Sequence, residues 1–474
     1  MPRRTHQGAA PNRGALAVPS AHPAYRAPPA SDMPPTSPLP ADLLVEARWV
    51  VPVEPAGMLL ERHAVAVREG RIVAVLPADE ARRRYAAAET VTLAEHALIP
   101  GLVNLHTHAA MTVMRGYADD KPLMSWLRDH IWPAEAAHAS PEMVYDGTLL
   151  ACAEMIAGGV TCANDMYFFP EDAARAFLDA GMRGVLGMIA VEFPTAYATG
   201  PDHYIAKGLA MRDRLAEEPL LSFCMAPHAP YTVSDATFTR IAVVAEELDV
   251  PIHVHLHETL EEIAESLRRH GVRPLERLRG LGLATPRLIG VHGVHLTPRE
   301  IDLLARNGCS IAHCPSSNLK LASGLAPVAA LLDAGVNVGI GTDGAASNNR
   351  LDVFQEMRTA ALLAKGVSGR ADAMPARDAL RAATLGGARA LGLEDRVGSI
   401  AAGKDADLVA VRLDRPETQP CFDPVSHLVY AAGREDVSHV WIRGVLRFRD
   451  RSHLWIAPRE LEKLAALWHN KLVR

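Results

Sequence analysis

The sequence predicts a (β/α)8 TIM-type barrel carrying a small composite β-sandwich domain built from both termini. Three observations support this. The middle of the chain, about 300 residues, alternates short apolar runs with amphipathic helical segments, a pattern that builds parallel strands buried on both faces. The two ends instead carry short alternating strands with tight-turn signals between them, which points to one sheet domain formed from both. No glycine-rich dinucleotide fingerprint follows any strand, and roughly eight βα units in that length favour a barrel over a doubly wound sheet.

Residues 1–42 hold Arg3, Arg4, Arg13 and Arg26 among many prolines and alanines. Proline repeatedly interrupts the apolar stretch that a secretory signal needs, so this segment reads as a disordered tail. Residues 44–47, 63–67 and 71–75 read as strands, with Glu69-Gly70 as a tight turn between the last two. Barrel strands are expected at 99–105, 183–191, 220–225, 251–256, 287–291, 310–313 and 336–340, with helices such as 234–248 and 328–334 between them. The strand signature returns at 408–411 and 437–442, followed by the turn Arg443-Gly444, and 458–472 reads as a terminal helix. The expected division is therefore a tail over 1–42, a composite sandwich from 43–97 and 396–450, a barrel over 98–395, and a helical C-terminus over 451–474.

The chain has 474 residues, 49% hydrophobic and 22% charged, which is ample for a large core and a second small domain. A formal net charge of −6, with no clustered basic face, argues against a nucleic-acid partner. No apolar run approaches the roughly 20 residues of a membrane span. The six cysteines (Cys152, Cys162, Cys224, Cys309, Cys314 and Cys421) show no CxxC spacing, so no disulfide framework is expected and the chain reads as cytoplasmic. Twenty-one histidines exceed what packing requires, and several cluster.

Those clusters carry the chemistry. The run Pro100 to His108 ends an apolar strand with His106 and His108 at i and i+2. Side chains so spaced share one strand face at about 6.6 Å between Cα atoms, and two imidazoles there can grip one ion. The run Val254-His255-Leu256-His257-Glu258 adds histidines and a carboxylate at another strand end. His253, His255 and His257 share a face if the strand stays regular, so spacing alone does not choose among them. In Gly341-Thr342-Asp343-Gly344 a third strand ends in a carboxylate flanked by glycines. Barrel enzymes assemble their sites from the C-terminal ends of several strands. Three histidines and one aspartate form a nitrogen and oxygen set suited to zinc or iron, with a position left for water.

The strings PGLVNLHTH, HLHE, HGVH, HCPSSN and GTDGAASNN resemble the amidohydrolase superfamily. They resemble in particular its branch of 5′-methylthioadenosine/S-adenosylhomocysteine deaminases and TRZ/ATZ hydrolases. The resemblance runs from about residue 43 to residue 443. It implies His106, His108, His255 and Asp343 as ligands of one divalent ion, Zn2+ or else Fe2+, with Glu258 as proton shuttle and His292 facing the attacking water. Two-metal relatives carry a bridging lysine at a barrel strand end; residues 220–228 contain none. The resemblance further implies that Glu135, in Trp132-Pro133-Ala134-Glu135, holds the ribose hydroxyls and that His228 contacts the nucleoside. A homo-oligomer is implied as well.

The activity so implied is hydrolytic deamination of an adenosine-type nucleoside. Water attacks C6, Glu258 protonates N1 and then the departing amine, Asp343 accepts a water proton, and His292 hydrogen-bonds the attacking oxygen. Members that accept S-adenosylhomocysteine anchor its carboxylate with arginine near the third barrel strand. Residues 184–211 contain no arginine here, so 5′-methylthioadenosine is the expected substrate. Arg183 begins that strand and is expected to point elsewhere. The competing readings are a guanine or 8-oxoguanine deaminase, a chlorotriazine hydrolase, and a metal-binding barrel without catalysis. Cys314 reads as a packed thiol, and 319–324 as a structural loop.

Overall fold

A computed structural model describes residues 37–473. The N-terminal part contributes four strands to one sheet: β1 (Leu39–Val50), β2 (Leu60–Arg68), β3 (Arg71–Pro77) and β4 (Tyr85–Pro100). Eight barrel strands follow: β5 (Leu102–Thr107), β6 (Val160–Asp165), β7 (Arg183–Ala190), β8 (Leu221–Pro227), β9 (Ile252–Leu256), β10 (Leu288–His292), β11 (Ser310–His313) and β12 (Asn337–Ile340). The C-terminal part returns to the first sheet with β13 (Leu408–Arg412), β14 (Val437–Ile442), β15 (Val445–Arg449) and β16 (Ser452–His453).

The terminal sheet has the order β16-β15-β14-β13-β4-β1-β2-β3, so β4 and β13 join the two ends of the chain. Its hairpins turn where two consecutive residues hold positive φ: Glu69 (53°) with Gly70 (73°), and Arg443 (48°) with Gly444 (73°). Positive φ at both central positions gives the twist that a two-residue hairpin needs. Val45, Val65, Val67, Leu93, Leu98, Leu408 and Trp441 pack into one core that draws on both ends.

The barrel strands pair in sequence order, and every pairing is parallel. The sheet closes where β12 meets β5. Asp343 N donates to His106 O at 3.0 Å, and Asn104 spans the seam, its Oδ1 accepting from Thr342 N at 2.9 Å and its Nδ2 donating to Thr342 Oγ1 at 2.8 Å. Closure brings the ends of β5 and β12 together, and with them the two motifs furthest apart in the chain.

Several expectations are corrected. The strand expected over 99–105 is two strands divided at Gly101. Its N–H donates to Asp407 O of the terminal sheet, and a Cβ there would lie 2.0 Å from Thr161 Oγ1, so only glycine allows the crossing. Strand β6 was not foreseen. Its Thr161, Asn164 and Asp165 break the apolar pattern, yet all three are buried. Asn164 Nδ2 donates to Leu105 O, and Asp165 Oδ1 accepts from Ala109 N. The first strand begins at Leu39, ahead of the expected boundary at 43, and β16 lies in the segment expected to be helical. Residues 1–36 of the expected tail lie outside the described residues. Residues 319 and 320 finish a helix, Pro315–Lys320, instead of opening a loop. The terminal helix is Pro458–Leu472 as expected, pinned by Trp468 Nε1 donating to Asp146 Oδ2. Among the described residues no helix is long and apolar enough to cross a membrane.

Arg183 opens β7 and is wholly buried. Its guanidinium donates to Asp405 Oδ2 at 3.0 Å and to Asp407 Oδ1 at 3.2 Å. It ties the underside of the barrel to the segment that leads into β13, away from the strands' C-terminal ends.

His96, on β4, is 7% exposed, and neither ring nitrogen has a hydrogen-bond partner. Burial first, then Arg412 and His439, pushes its pKa from 6.5 down to about 4. Its neutral form therefore contributes stability that is present above pH 6.5 and lost as pH falls toward 4. His96→Leu should narrow the difference in urea stability between pH 7 and pH 5 by about 2 kcal/mol. An unchanged difference would mean that folding leaves the His96 pKa where it is in the unfolded chain.

Candidate active site

Seven of the eight residues singled out from sequence line one cavity of about 570 Å³ at the C-terminal ends of the strands: His108, Glu135, His228, His255, Glu258, His292 and Asp343. His106 lies just below its floor, fully buried. The eight come from the ends of five strands, His106 and His108 from β5, His228 from β8, His255 and Glu258 from β9, His292 from β10 and Asp343 from β12, with Glu135 from the helix Trp132–His138.

The polar floor is held by backbone and neighbouring side chains. His108 Nδ1 donates to Met166 O at 2.5 Å, and His255 Nδ1 donates to His228 O at 2.7 Å. A carbonyl can only accept, so both rings carry a proton on Nδ1 and turn Nε2 inward. His106 Nδ1 pairs with His253 Nε2 at 2.9 Å, which leaves its Nε2 without a hydrogen-bond partner although it is buried. The Nε2 atoms of His106 and His108 each lie 3.3 Å from Asp343 Oδ1. Ligand atoms of His106, His108 and Asp343 fall within 4.8 Å of one another, as do those of His106, His255 and His292. Burial drives the His106 pKa down to about 4 and that of His255 well below its usual value, so both are neutral. Converging lone pairs beside a carboxylate repel one another unless a cation sits among them, and the donor set fits such an ion.

Local backbone sets the three neighbouring histidines apart. Strand β9 stops at Leu256, and His257 takes φ 56°, which turns its ring out of the face it would share. There its Nε2 accepts from Leu275 N, with Arg273 at Nδ1. His253 sits beneath His106. Only His255 of the three lines the cavity. Asp343 (φ 63°) and His292 (φ 73°) also hold positive φ at strand ends, a strained conformation that aims each side chain into the site.

Glu258 is 4% exposed, and its Oε2 lies 3.7 Å from His292 Nε2. Burial, reinforced by the charge of Asp343, pushes its carboxyl up to about 8. It is therefore protonated near neutral pH. Glu262 fixes it from behind, accepting the N–H of His257 at 2.9 Å and of Glu258 at 2.7 Å. Burial likewise pushes Glu135 up to about 7, with the Tyr167 hydroxyl and His108 pulling the other way, and it lowers His228 to about 3. Cys314 is fully buried beside the floor, and burial pushes its thiol up, away from nucleophilic chemistry.

The walls are apolar. Trp126, Ile131, Trp132, Phe168, Phe169 and Val191 line the cavity, together with residues 193–197. Among the described residues no lysine or arginine lines the cavity. Sequence reasoning missed the supports. Ser317 Oγ donates to Asp343 Oδ2 at 2.6 Å, Asn318 Oδ1 faces His292 Nδ1 at 2.8 Å, and Ser323 Oγ approaches Glu258 Oε1 at 3.5 Å. The HCPSSN string was visible, but only its place next to β10 and β12 reveals its partners.

Comparison with known proteins places this geometry. The model of the amidohydrolase family matches residues 97–447. A 5-methylthioadenosine/S-adenosylhomocysteine deaminase of Teredinibacter turnerae is 47% identical over 431 residues, covering 91% of this chain and 98% of that protein. One of the same name from Saccharophagus degradans is 45% identical over 433 residues, covering 91% and 97%. Among solved structures, an adenosine deaminase from Xanthomonas campestris with bound zinc has a TM-score of 0.91 at 53% identity, covering 92% of this chain and 99% of that one.

Proposed function

The chain belongs to the amidohydrolase family, in its 5-methylthioadenosine/S-adenosylhomocysteine deaminase branch, and from that premise we propose that it deaminates an adenosine-type nucleoside hydrolytically, with 5′-methylthioadenosine preferred to S-adenosylhomocysteine. The observation that carries this reading is a protonated, buried Glu258 beside a cluster of inward-facing histidine lone pairs at the floor of a nucleoside-sized cavity.

In this reading His106, His108, His255 and Asp343 hold one divalent ion, Zn2+ in preference to Fe2+. When bound, such an ion supplies the Lewis acidity that makes water a nucleophile near neutral pH. Asp343 takes a proton from that water as the oxygen attacks C6 of the purine. Glu258 delivers its proton to N1, where charge builds as the ring loses aromaticity; the carboxylate then takes the proton of the new C6 hydroxyl and passes it to the departing amine, and the proton held by Asp343 restores Glu258 for the next turnover. His292 hydrogen-bonds the attacking oxygen. Glu135 accepts from the ribose hydroxyls, and His228 contacts the nucleoside. The products are an inosine-type nucleoside and ammonia. We place the enzyme in the cytoplasm, in keeping with six free cysteines, and as a homo-oligomer, which light scattering reads directly.

The 5′ preference rests on the walls. A zwitterionic amino-acid tail needs partners for its charges, and an unpaired buried charge costs several kcal/mol. The cavity offers aromatic and aliphatic surface instead. Ultraviolet-monitored deamination should give a kcat/KM for 5′-methylthioadenosine about tenfold or more above that for S-adenosylhomocysteine, a gap of about 1.4 kcal/mol. Equal values would overturn the apolar-wall argument. Turnover of guanine alone would overturn the nucleoside reading.

A further inference from the structure

Asn318 lies on the first turn after β11, in the helix Pro315–Lys320, and is 2% exposed. Its backbone is fixed at both ends: its N–H donates to Cys314 O at 3.0 Å, and its carbonyl accepts from Ser323 N at 2.9 Å. Its side-chain Oδ1 sits 2.8 Å from His292 Nδ1, while its Nδ2 has no protein partner. His292 in turn aims Nε2 toward Glu258 and the cavity. A carbonyl oxygen accepts and cannot donate, so this contact puts the imidazole proton on Nδ1. Nε2 is then a lone pair facing the site. The neighbouring Ser317 bonds Asp343 from the same turn, so one helical turn braces two residues of the floor.

We propose that Asn318 is a positioning residue that locks His292 in the tautomer with its proton on Nδ1, so that neutral His292 accepts a hydrogen bond from the attacking water through Nε2. This orients the water's second lone pair toward C6. With the opposite tautomer, His292 would donate to the oxygen and hold its lone pair away from the carbon. The inference rests on the deaminase reading for its chemistry but not for its geometry.

Two substitutions separate the possibilities. Asn318→Leu removes the acceptor at Nδ1 and should lower kcat on 5′-methylthioadenosine by about 10- to 100-fold, with KM and zinc content within about twofold. Asn318→Asp keeps an acceptor-only oxygen at Nδ1 and should stay within about fivefold of the parent kcat. The proposal is overturned if the leucine variant keeps full kcat, or if the aspartate variant falls as far as the leucine one. A measurement on the unmodified chain tests the same point without turnover. In zinc-loaded protein labelled with nitrogen-15 in its histidine rings, His292 is assigned by its loss in His292→Gln. Its Nδ1 should carry the proton. Protonation at Nε2 would overturn the tautomer whether or not the substrate assignment stands.

Discussion

Glu258→Gln should lower kcat on 5′-methylthioadenosine by about 10³-fold, in the range expected of a lost general acid, while one zinc per chain stays bound. The substitution is nearly isosteric, and the amide can still meet Ser323. None of the atoms gathered at the floor belongs to Glu258, so ion affinity should survive. What the amide cannot do is surrender a proton to N1. The wild-type pH profile carries the same signature. In the proposed reaction Glu258 acts in its protonated form, and burial with the Asp343 charge pushes its carboxyl up to about 8. A cation beside it lowers that value, so turnover should fall on the alkaline side, from pH 8 or below. Elemental analysis with ultraviolet assays decides the matter: full turnover in the glutamine variant removes Glu258 from the mechanism.

Extracting the ion should abolish turnover, by about 10³-fold or more, and one equivalent of zinc should restore it. The site itself supplies the reason. His106 Nε2 is buried without a partner, and the His106 and His108 Nε2 atoms face Asp343 Oδ1 at 3.3 Å each. Without a cation these groups only repel. Stability should therefore fall together with activity, by about 4 kcal/mol relative to protein at a zinc concentration 1,000 times its dissociation constant. Recovery with two equivalents but not one would replace the single-ion reading, and activity that survives extraction would sink the metal assignment altogether.

The strand-end histidines and aspartate were legible because a period-2 strand puts i and i+2 on one face, and because polar residues that close an apolar run need a reason to be there. The apolar run 310–313 and the amphipathic run 458–472 likewise declared their elements to the residue. Strand β6 did not. Asn164 and Asp165 look like loop residues until Leu105 O and Ala109 N are beside them to satisfy them. Gly101 hid a boundary, since a crossing too tight for a Cβ leaves no trace in hydropathy.

Sequence by itself determined the alternation that makes the barrel, the set of residues able to hold an ion, and the absence of arginine over 184–211. Those are properties of local composition and period, carried by each segment before it meets another. Tertiary structure alone decided the rest. It left His255 alone of the three neighbouring histidines lining the cavity, because a positive φ at His257 turns one ring away and the barrel interior keeps His253 below the floor. It set Ser317 and Asn318 against Asp343 and His292. It also pushed the Glu258 carboxyl up to about 8, because only the assembled fold removes water from around it and brings the Asp343 charge near.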